Sequence, residues 1–366
     1  MSRSLVPRLM AIMLVYSALP AALARPEGPA PFDASPLVSF GDTTRYGSYT
    51  IRTIGKGIYQ IDDRSPERTT GGVDMYLIRG ETKALMVDLG NNYIDGYAPD
   101  KRAPRANAAD EFRAVVYGLA GKLPLEVAIT HMHPDHDGMT GALLNRNVTL
   151  WASAGEDLTA LRQQYGIEPS VLSVFTCGEK SFDLGGGRVV DTFLVRGHSG
   201  GAAVYILKKE RMLFTGDALG SGFGVGVSSG ERVRNMALDT QKLVDYIMAS
   251  FSPSERYALQ VYTGHAWQNG YGGSYKVGDT PVDVGYLDWR FIQDMRSCVN
   301  AIVKGEWLAE GSRLRFLEMS GDTSRLPSNA GRGKRGYMVY GVGSLMITPE
   351  VAHDAAGLKM PGPAEK

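Results

Sequence analysis

Residues 130–138 read THMHPDHDG and follow directly on the apolar run LEVAI at 125–129. These nine residues hold three of the six histidines of the chain, together with two aspartates. The end of a buried strand is a rigid place from which a loop can hold ligands. Neutral imidazoles and a carboxylate are ligands that suit zinc. The segment therefore predicts a metal site at the end of a buried strand, with His131 and His133 directed at one ion and Asp135 and His136 at a neighbouring one.

Three more candidate ligands follow other predicted strands. His198, Asp217 and His265 lie in RGHSGG, FTGDALG and TGHAW, each just past the end of a β-type run. Each stands beside glycine, which allows the backbone to come close to a metal or a substrate. Several strands are thus expected to deliver ligands to one loop-lined face, and only His353 falls outside the set.

The order of the predicted elements, roughly ββββα-βα-βα-βββ-α-β-α-ββ, indicates an α/β protein with two sheets and helices outside them. Four short β-type runs between residues 50 and 87 are separated by turns with Gly or Asp, which predicts an antiparallel meander. Asn107 is expected to cap a helix, and residues 285–304 are expected to form another. Tyr337–Ile347 is expected to be a final strand.

The first residues form a separate segment. Arg3 and Arg8 precede an apolar stretch that ends in the small-residue site Ala22-Leu23-Ala24. This pattern predicts that residues 1–24 are a secretory signal peptide, so the mature protein is expected in the periplasm or the medium. A membrane anchor is the alternative, but Pro20 interrupts the stretch, and a spanning helix needs ~20 residues. We therefore expect no stable membrane insertion after cleavage.

Charge and cysteine content narrow the classes of partner. Lys plus Arg and Asp plus Glu both number 39; removal of the two arginines in residues 1–24 leaves a net charge of 37 − 39 = −2. There is no basic excess of the kind that nucleic-acid binding requires, so a small-molecule substrate is expected. Export permits a disulfide between Cys177 and Cys298. The helical spacing of Phe291, Met295 and Cys298 instead favours a buried thiol, and both alternatives stay open.

The complete ordered set of motifs resembles the metallo-β-lactamase superfamily over roughly residues 50–270. The resemblance rests on Asp88 in MVDLG, HxHxDH at 131–136, and the three motifs around His198, Asp217 and His265. It implies an αβ/βα four-layer sandwich of two mixed β-sheets with helices on the outer faces and the site at one edge. We expect this hydrolase domain to span residues 50–350, after an arm or linker at 25–49 and before a tail at 351–366.

The family pattern also implies two zinc ions per chain. The ligands of the first ion would be His131, His133 and His198, those of the second Asp135, His136 and His265, and Asp217 would bridge both. Asp88 usually supports the metal loop in this family, so it is expected to orient ligands rather than to bind metal.

The resemblance implies a hydrolase in which a metal-bridging hydroxide cleaves a small ester, lactone, amide or phosphoester. Asp135 is the expected catalytic carboxylate, which orients the water and takes its proton. His133 stands where di-iron oxygen-reducing relatives have Glu, which argues against redox chemistry. Asp217 stands where zinc β-lactamases have Cys or Ser, so β-lactam hydrolysis is an alternative rather than the first choice.

Two further alternatives are a mononuclear iron sulfur dioxygenase of the same fold and a non-catalytic exported binding protein. The substrate is expected to be chosen by loops 219–233 and 266–289, which follow Asp217 and His265. They carry four aromatic residues, namely Phe223, Trp267, Tyr271 and Tyr275. These rings are interpreted either as the wall of an aromatic pocket or as ordinary packing of surface loops.

Overall fold

The computed structural model describes residues 31–63, 72–91, 107–143, 148–166, 172–175, 180–222, 224–271, 276–277, 280–281, 285–318 and 336–359. The first large sheet has eight strands in chain order. They are β1 (Thr43–Tyr46), β2 (Tyr49–Gly55), β3 (Ile58–Asp62), β4 (Asp74–Arg79), β5 (Ala84–Val87), β6 (Leu125–Ala128), β7 (Thr149–Ser153) and β8 (Leu172–Phe175). Strands β1 to β5 pair antiparallel, which confirms the predicted meander, and β5 to β8 pair parallel.

Within the described residues, three further sheets contain the remaining strands. Their members are β9 (Ser181–Asp183), β10 (Val189–Leu194), β11 (Ala203–Leu207), β12 (Met212–Gly216), β13 (Val225–Gly226), β14 (Gln260–Thr263), β15 (Lys276–Val277), β16 (Thr280–Pro281), β17 (Arg315–Glu318), β18 (Gly336–Tyr340) and β19 (Gly343–Ile347). The second large sheet has the order β14-β12-β11-β10-β9, and a four-stranded sheet has the order β13-β19-β18-β17. Strands β15 and β16 pair with each other.

Eight α-helices connect or flank these strands within the described residues. They are α1 (Ala108–Ala120), α2 (Pro134–Asp137), α3 (Thr140–Leu143), α4 (Leu158–Tyr165), α5 (Gly230–Ser250), α6 (Pro253–Tyr257), α7 (Trp289–Val303) and α8 (Pro349–Ala355). Short 3₁₀ helices span Ala266–Tyr271 and Glu306–Leu308. None of the helices in the described part of the chain has the length and apolarity needed to cross a bilayer.

Strand β11 shows how the layers stack. It reads AVYIL and is buried on both faces, as expected when alternate side chains point to opposite sides of a sheet that is covered on both. Tyr205 faces the first sheet, in a core shared with Ile58 and Tyr76. Val204 and Ile206 face the other way, into a core shared with α5 and α7.

The opposite face of the first sheet packs against α1, whose buried residues recur at helical spacing. Phe112, Val115, Val116 and Leu119 lie in one core with residues of β2 to β7. The layers therefore run helix, sheet, sheet, helix, and the predicted αβ/βα sandwich is confirmed.

Four expectations differ from the structure in detail. The run expected as one final strand is the hairpin of β18 and β19, because Gly341, at φ 59°, turns the chain between them. Asn107 precedes α1 in a left-handed conformation, and its side chain accepts no capping hydrogen bond. Strand β1 lies within the segment expected as an arm, and α8 crosses the expected boundary at residue 350, with Ala352 buried. The expected signal segment 1–24 lies outside the described residues.

Candidate metal centre

All seven expected ligands meet at one edge of the two large sheets. His131 and His133 follow β6, and α2 carries Asp135 and His136 one turn further on. His198 follows β10, whereas Asp217 and His265 follow the neighbouring parallel strands β12 and β14. Three subsets place their ligand atoms within 4.8 Å of one another, namely His131, His133 and His198; His131, His136 and Asp217; and Asp135, His136 and His265.

The first group consists of three imidazoles. His133 Nδ1 lies 2.9 Å from His131 Nε2 and 2.9 Å from His198 Nε2. His131 is fully buried, and His133 and His198 are partly buried. Three ring nitrogens thus converge on one point, which is the ligand arrangement of a tetrahedral zinc site that keeps a fourth position open.

The second group combines two imidazoles with a carboxylate. Asp135 Oδ2 lies 3.9 Å from His136 Nε2 and 3.5 Å from His265 Nε2. His136 Nε2 is buried and has no hydrogen-bond partner among the described residues. A buried polar atom without a partner is rare in folded proteins and calls for a ligand or an ion.

Asp217 lies between the two groups and faces both with its carboxylate. Asp217 Oδ1 is 3.7 Å from His136 Nε2, and Oδ2 is 3.3 Å from His265 Nε2 and 3.7 Å from His198 Nε2. Gly264 leaves room for this contact, since a Cβ there would lie 2.6 Å from His136 Cε1 and 2.8 Å from Asp217 Oδ1. One carboxylate can therefore serve both groups.

Each of four imidazoles uses its Nδ1 atom to bind the protein and keeps its Nε2 atom for the centre. His198 Nδ1 donates to the carbonyl oxygen of Gly226 at 2.9 Å, and His265 Nδ1 donates to that of Gly72 at 2.8 Å. Because a carbonyl oxygen can only accept, Nδ1 must carry a proton, and in the neutral ring the lone pair is then on Nε2. Outer hydrogen bonds of this kind select the tautomer and the ring orientation that a metal needs.

Asp88 and Thr130 orient the other two rings. Asp88 Oδ2 accepts from His136 Nδ1 at 2.8 Å and from Thr130 Oγ1 at 2.8 Å, while Oδ1 accepts from Thr130 N at 2.6 Å. Since the Thr130 hydroxyl donates to the carboxylate, it accepts from His131 Nδ1 at 3.1 Å. Asp88 thereby joins β5 to the loop after β6 and orients both rings.

Electrostatics distinguish the two groups. Burial lowers the pKa of His131 well below its usual value, and burial with the nearby His198 lowers the pKa of His133 to about 4. Both rings are therefore neutral at pH 7, which is the protonation state that binds metal.

Two carboxylates, Asp135 and Asp217, act on the imidazoles of the second group. Burial by itself would lower the pKa of His265, but Asp217 and Asp135 raise it to about 9. For the acid Asp217, burial by itself would raise the pKa, but His265 and His136 hold that pKa well below its usual value. The carboxylates favour positive charge here, and a bound cation would supply that charge in place of protons. The donor set and its charge therefore fit a metal ion in each group.

Sequence reasoning missed several residues that shape this centre. The carbonyls of Gly72 and Gly226 have no side-chain signature, so only the folded chain reveals their role. Thr130 begins the THMH motif, and its position beside His131 was the available signal. The predicted aromatic wall is not described, because Phe223 and Tyr275 and the side chains of Trp267 and Tyr271 lie outside the described part of the structure.

Comparisons with solved structures find several similar chains. A beta-lactamase domain protein from Burkholderia ambifaria is 18% identical, with a TM-score of 0.48 over 74% of this chain and 80% of that chain. The DIM-1 metallo-beta-lactamase is 14% identical, with a TM-score of 0.47 over 70% of this chain and 99% of that chain. A metallo-beta-lactamase family protein from Thermus thermophilus is 16% identical, with a TM-score of 0.44 over 70% of this chain and 85% of that chain.

A comparison with curated proteins finds no match. The family model described as the metallo-beta-lactamase superfamily matches residues 68–269, which is more than half of the chain. The match includes every residue of the two candidate metal groups, from His131 to His265. The chain therefore belongs to the metallo-beta-lactamase superfamily.

Proposed function

We propose that this protein is an exported hydrolase that binds two zinc ions and cleaves a small ester, lactone, amide or phosphoester. The observation that supports it most is the position of Asp217, whose two carboxylate oxygens face His136 on one side and His198 and His265 on the other. A carboxylate that faces two groups of ligands can bridge two metal ions. When bound, a pair of ions about 3.5–4 Å apart supplies Lewis acidity and a water that ionises near neutral pH.

The candidate ligands would form two sets, one for each ion. His131, His133 and His198 would hold the first ion, and His136 and His265 would hold the second together with Asp135. The Asp135 side chain keeps 24% of its surface exposed, whereas His136 is fully buried. Asp135 is thus the carboxylate in the second group that solvent and substrate reach, and it is placed to orient a water and to accept its proton.

Two features of the second group favour a hydrolase over the iron dioxygenase. His136 and His265, which that enzyme class often leaves out of coordination, face the same point as Asp135. In addition, His136 Nδ1 donates a hydrogen bond to Asp88, and His265 Nδ1 donates one to the Gly72 carbonyl oxygen. These bonds direct both Nε2 atoms toward the metal centre. A non-catalytic binding protein would have no need for a complete second group.

The test is metal analysis of protein purified without added metal, followed by a screen of chromogenic esters, lactones, β-lactams and phosphoesters. Two zinc ions per chain with chelator-sensitive hydrolysis are the expected result. One iron ion and no hydrolysis would support the dioxygenase instead, and hydrolysis restricted to β-lactams would support the lactamase alternative. Full hydrolytic activity in metal-free protein would overturn the mechanism.

A further inference from the structure

Glu156 lies in the turn between β7 and α4, outside all the motifs that carry candidate ligands. Its Oε1 atom accepts hydrogen bonds from Ser199 Oγ and, at 2.8 Å, from Gly201 N. Its Oε2 atom accepts from Met132 N at 3.4 Å. Ser199 follows His198 directly, and Met132 lies between His131 and His133. One carboxylate therefore contacts both loops that supply the first group.

The backbone next to Glu156 packs so closely against the loop of His198 that neither side has room for a Cβ atom at the contact. A Cβ at Gly155 would lie 2.5 Å from the carbonyl oxygen of Gly200 and 2.9 Å from Gly201 Cα. A Cβ at Gly201 would lie 2.8 Å from Glu156 N and 2.7 Å from Ser153 Oγ. The position of the carboxylate is thus determined by backbone contact as well as by its own hydrogen bonds.

The first group needs such a constraint, because its ligands come from different sheets. His131 and His133 follow β6 of the eight-stranded sheet, whereas His198 follows β10 of the five-stranded sheet. Their ring nitrogens converge to 2.9 Å. When the rings are neutral, only His133 Nδ1 can carry a proton there, so lone pairs still face each other unless a cation lies between them. In a well-formed metal site the metal–ligand distances lie within about 0.2 Å of their standard values. Something must therefore set the separation of the two loops.

We propose that Glu156 is a positioning residue for the first metal group. It links the loop of His131 and His133 to the loop of His198 and holds the three imidazoles at the separation that one ion requires. The inference rests on the proposed metal centre and adds to it a residue that contacts no metal. Outer residues of this type typically change metal affinity by about 10–100-fold when they are replaced.

The test compares Glu156→Ala and Glu156→Gln with wild type and with a matched control, Asp157→Ala. Asp157 is the neighbouring carboxylate, and it accepts from Ala160 N at 3.0 Å to cap α4; it has no hydrogen bond to either loop among the described residues. Zinc affinities of the two sites are measured by two-step competition with a chromophoric chelator. Thermal unfolding of the metal-free proteins gives a second readout that does not depend on activity.

We expect Glu156→Ala to weaken zinc binding at the first site by about 10–100-fold and to leave the second site unchanged. Glu156→Gln should have an intermediate effect, because its carbonyl can still accept from Ser199 and Gly201 while its amide group faces the Met132 N–H. The control should lose stability when metal-free, as expected for a lost helix cap, with wild-type affinity at both sites.

Other outcomes separate this inference from the proposed function. A wild-type protein that binds no zinc overturns both. Wild-type affinities at both sites in Glu156→Ala, or an equal loss at both, overturn the positioning role alone. If Glu156→Ala does not fold, zinc affinity at the first site is measured in Glu156→Gln and Ser199→Ala instead. Unchanged first-site affinity in both of these variants overturns the positioning role.

Discussion

Asp88 and His136 form a buried pair in which His136 Nδ1 donates to Asp88 Oδ2 at 2.8 Å, while His136 Nε2 remains without a partner among the described residues. Asp88 holds an unusual backbone conformation for a residue other than glycine, with φ 60°. Such conformations cost free energy and persist where the surroundings enforce them. Here three hydrogen bonds, two of them from Thr130, keep the carboxylate in place.

Asp88→Asn tests this relationship, because Asn tolerates a left-handed backbone well. Its amide group would face two donors, Thr130 Oγ1 and His136 Nδ1, so the ring of His136 should lose its orientation. We expect zinc affinity at the second site to fall about 10–100-fold, measured by chelator competition. Asp183→Asn is the control, because Asp183 is exposed and its side chain accepts a local hydrogen bond from Gly185 N at 2.9 Å. Unchanged affinity in Asp88→Asn would show that the carboxylate does not orient the ligand.

Removal of metal should destabilise the whole protein. A ligand that binds only the folded chain adds about 2.7 kcal/mol to the free energy of unfolding when its free concentration is about 100 times its Kd. Chelation should therefore lower the melting temperature in calorimetry, and added zinc should restore it. Identical melting of the loaded and the chelated protein would contradict metal binding at this centre.

Asp135→Asn should impair turnover more than folding. Asn has nearly the same shape as Asp, so packing should survive, but it cannot accept a proton from water. Loss of a general base typically costs about 10²–10⁴-fold in rate. Turnover, metal content and thermal unfolding are to be measured on one sample. A variant with both metals, normal melting and nearly full turnover would exclude Asp135 as the catalytic carboxylate.

Cys298 should be unreactive in the folded protein. It is a free, buried cysteine in α7; its thiol donates to the Met338 carbonyl oxygen at 3.3 Å, and burial raises its pKa to about 12. Only the thiolate reacts readily. In a Cys177→Ser variant, which leaves Cys298 as the sole cysteine, a thiol reagent should label the chain only after denaturation. Rapid labelling of the native variant would contradict the burial.

Cleavage of residues 1–24 should give a mature protein that begins at Arg25. The expectation rests on the charged, apolar and small-residue pattern of that segment. Mass spectrometry of the protein recovered from the periplasm or the medium measures it directly. An exported chain that retains Met1 would refute cleavage, and a chain found only in the cytoplasm would refute export.

The sequence alone was sufficient to predict the fold class and to select the seven residues that the structure brings together. The reason is that these signals are local. A strand such as β6 shows its burial in a short apolar run, and the ligands stand directly after strand ends, where parallel neighbours share one edge. The hairpin of β18 and β19 was missed because its turn is only two residues long, Gly341 and Val342, and interrupts the apolar run at a single glycine. The left-handed conformation of Asn107 was missed because capping depends on side-chain geometry.

Only the tertiary structure decided which atom of each imidazole faces the centre. His265 obtains its tautomer from the carbonyl of Gly72, which lies 193 residues away along the chain. Glu156 meets Ser199 in the same way, across 43 residues. Every residue has a backbone carbonyl, so the sequence does not show which carbonyl binds a ligand. A glutamate that follows a glycine likewise looks in the sequence like part of an ordinary solvated turn. Their roles arise from the packing of the two sheets, which brings distant segments within hydrogen-bond distance and leaves no local trace in the sequence.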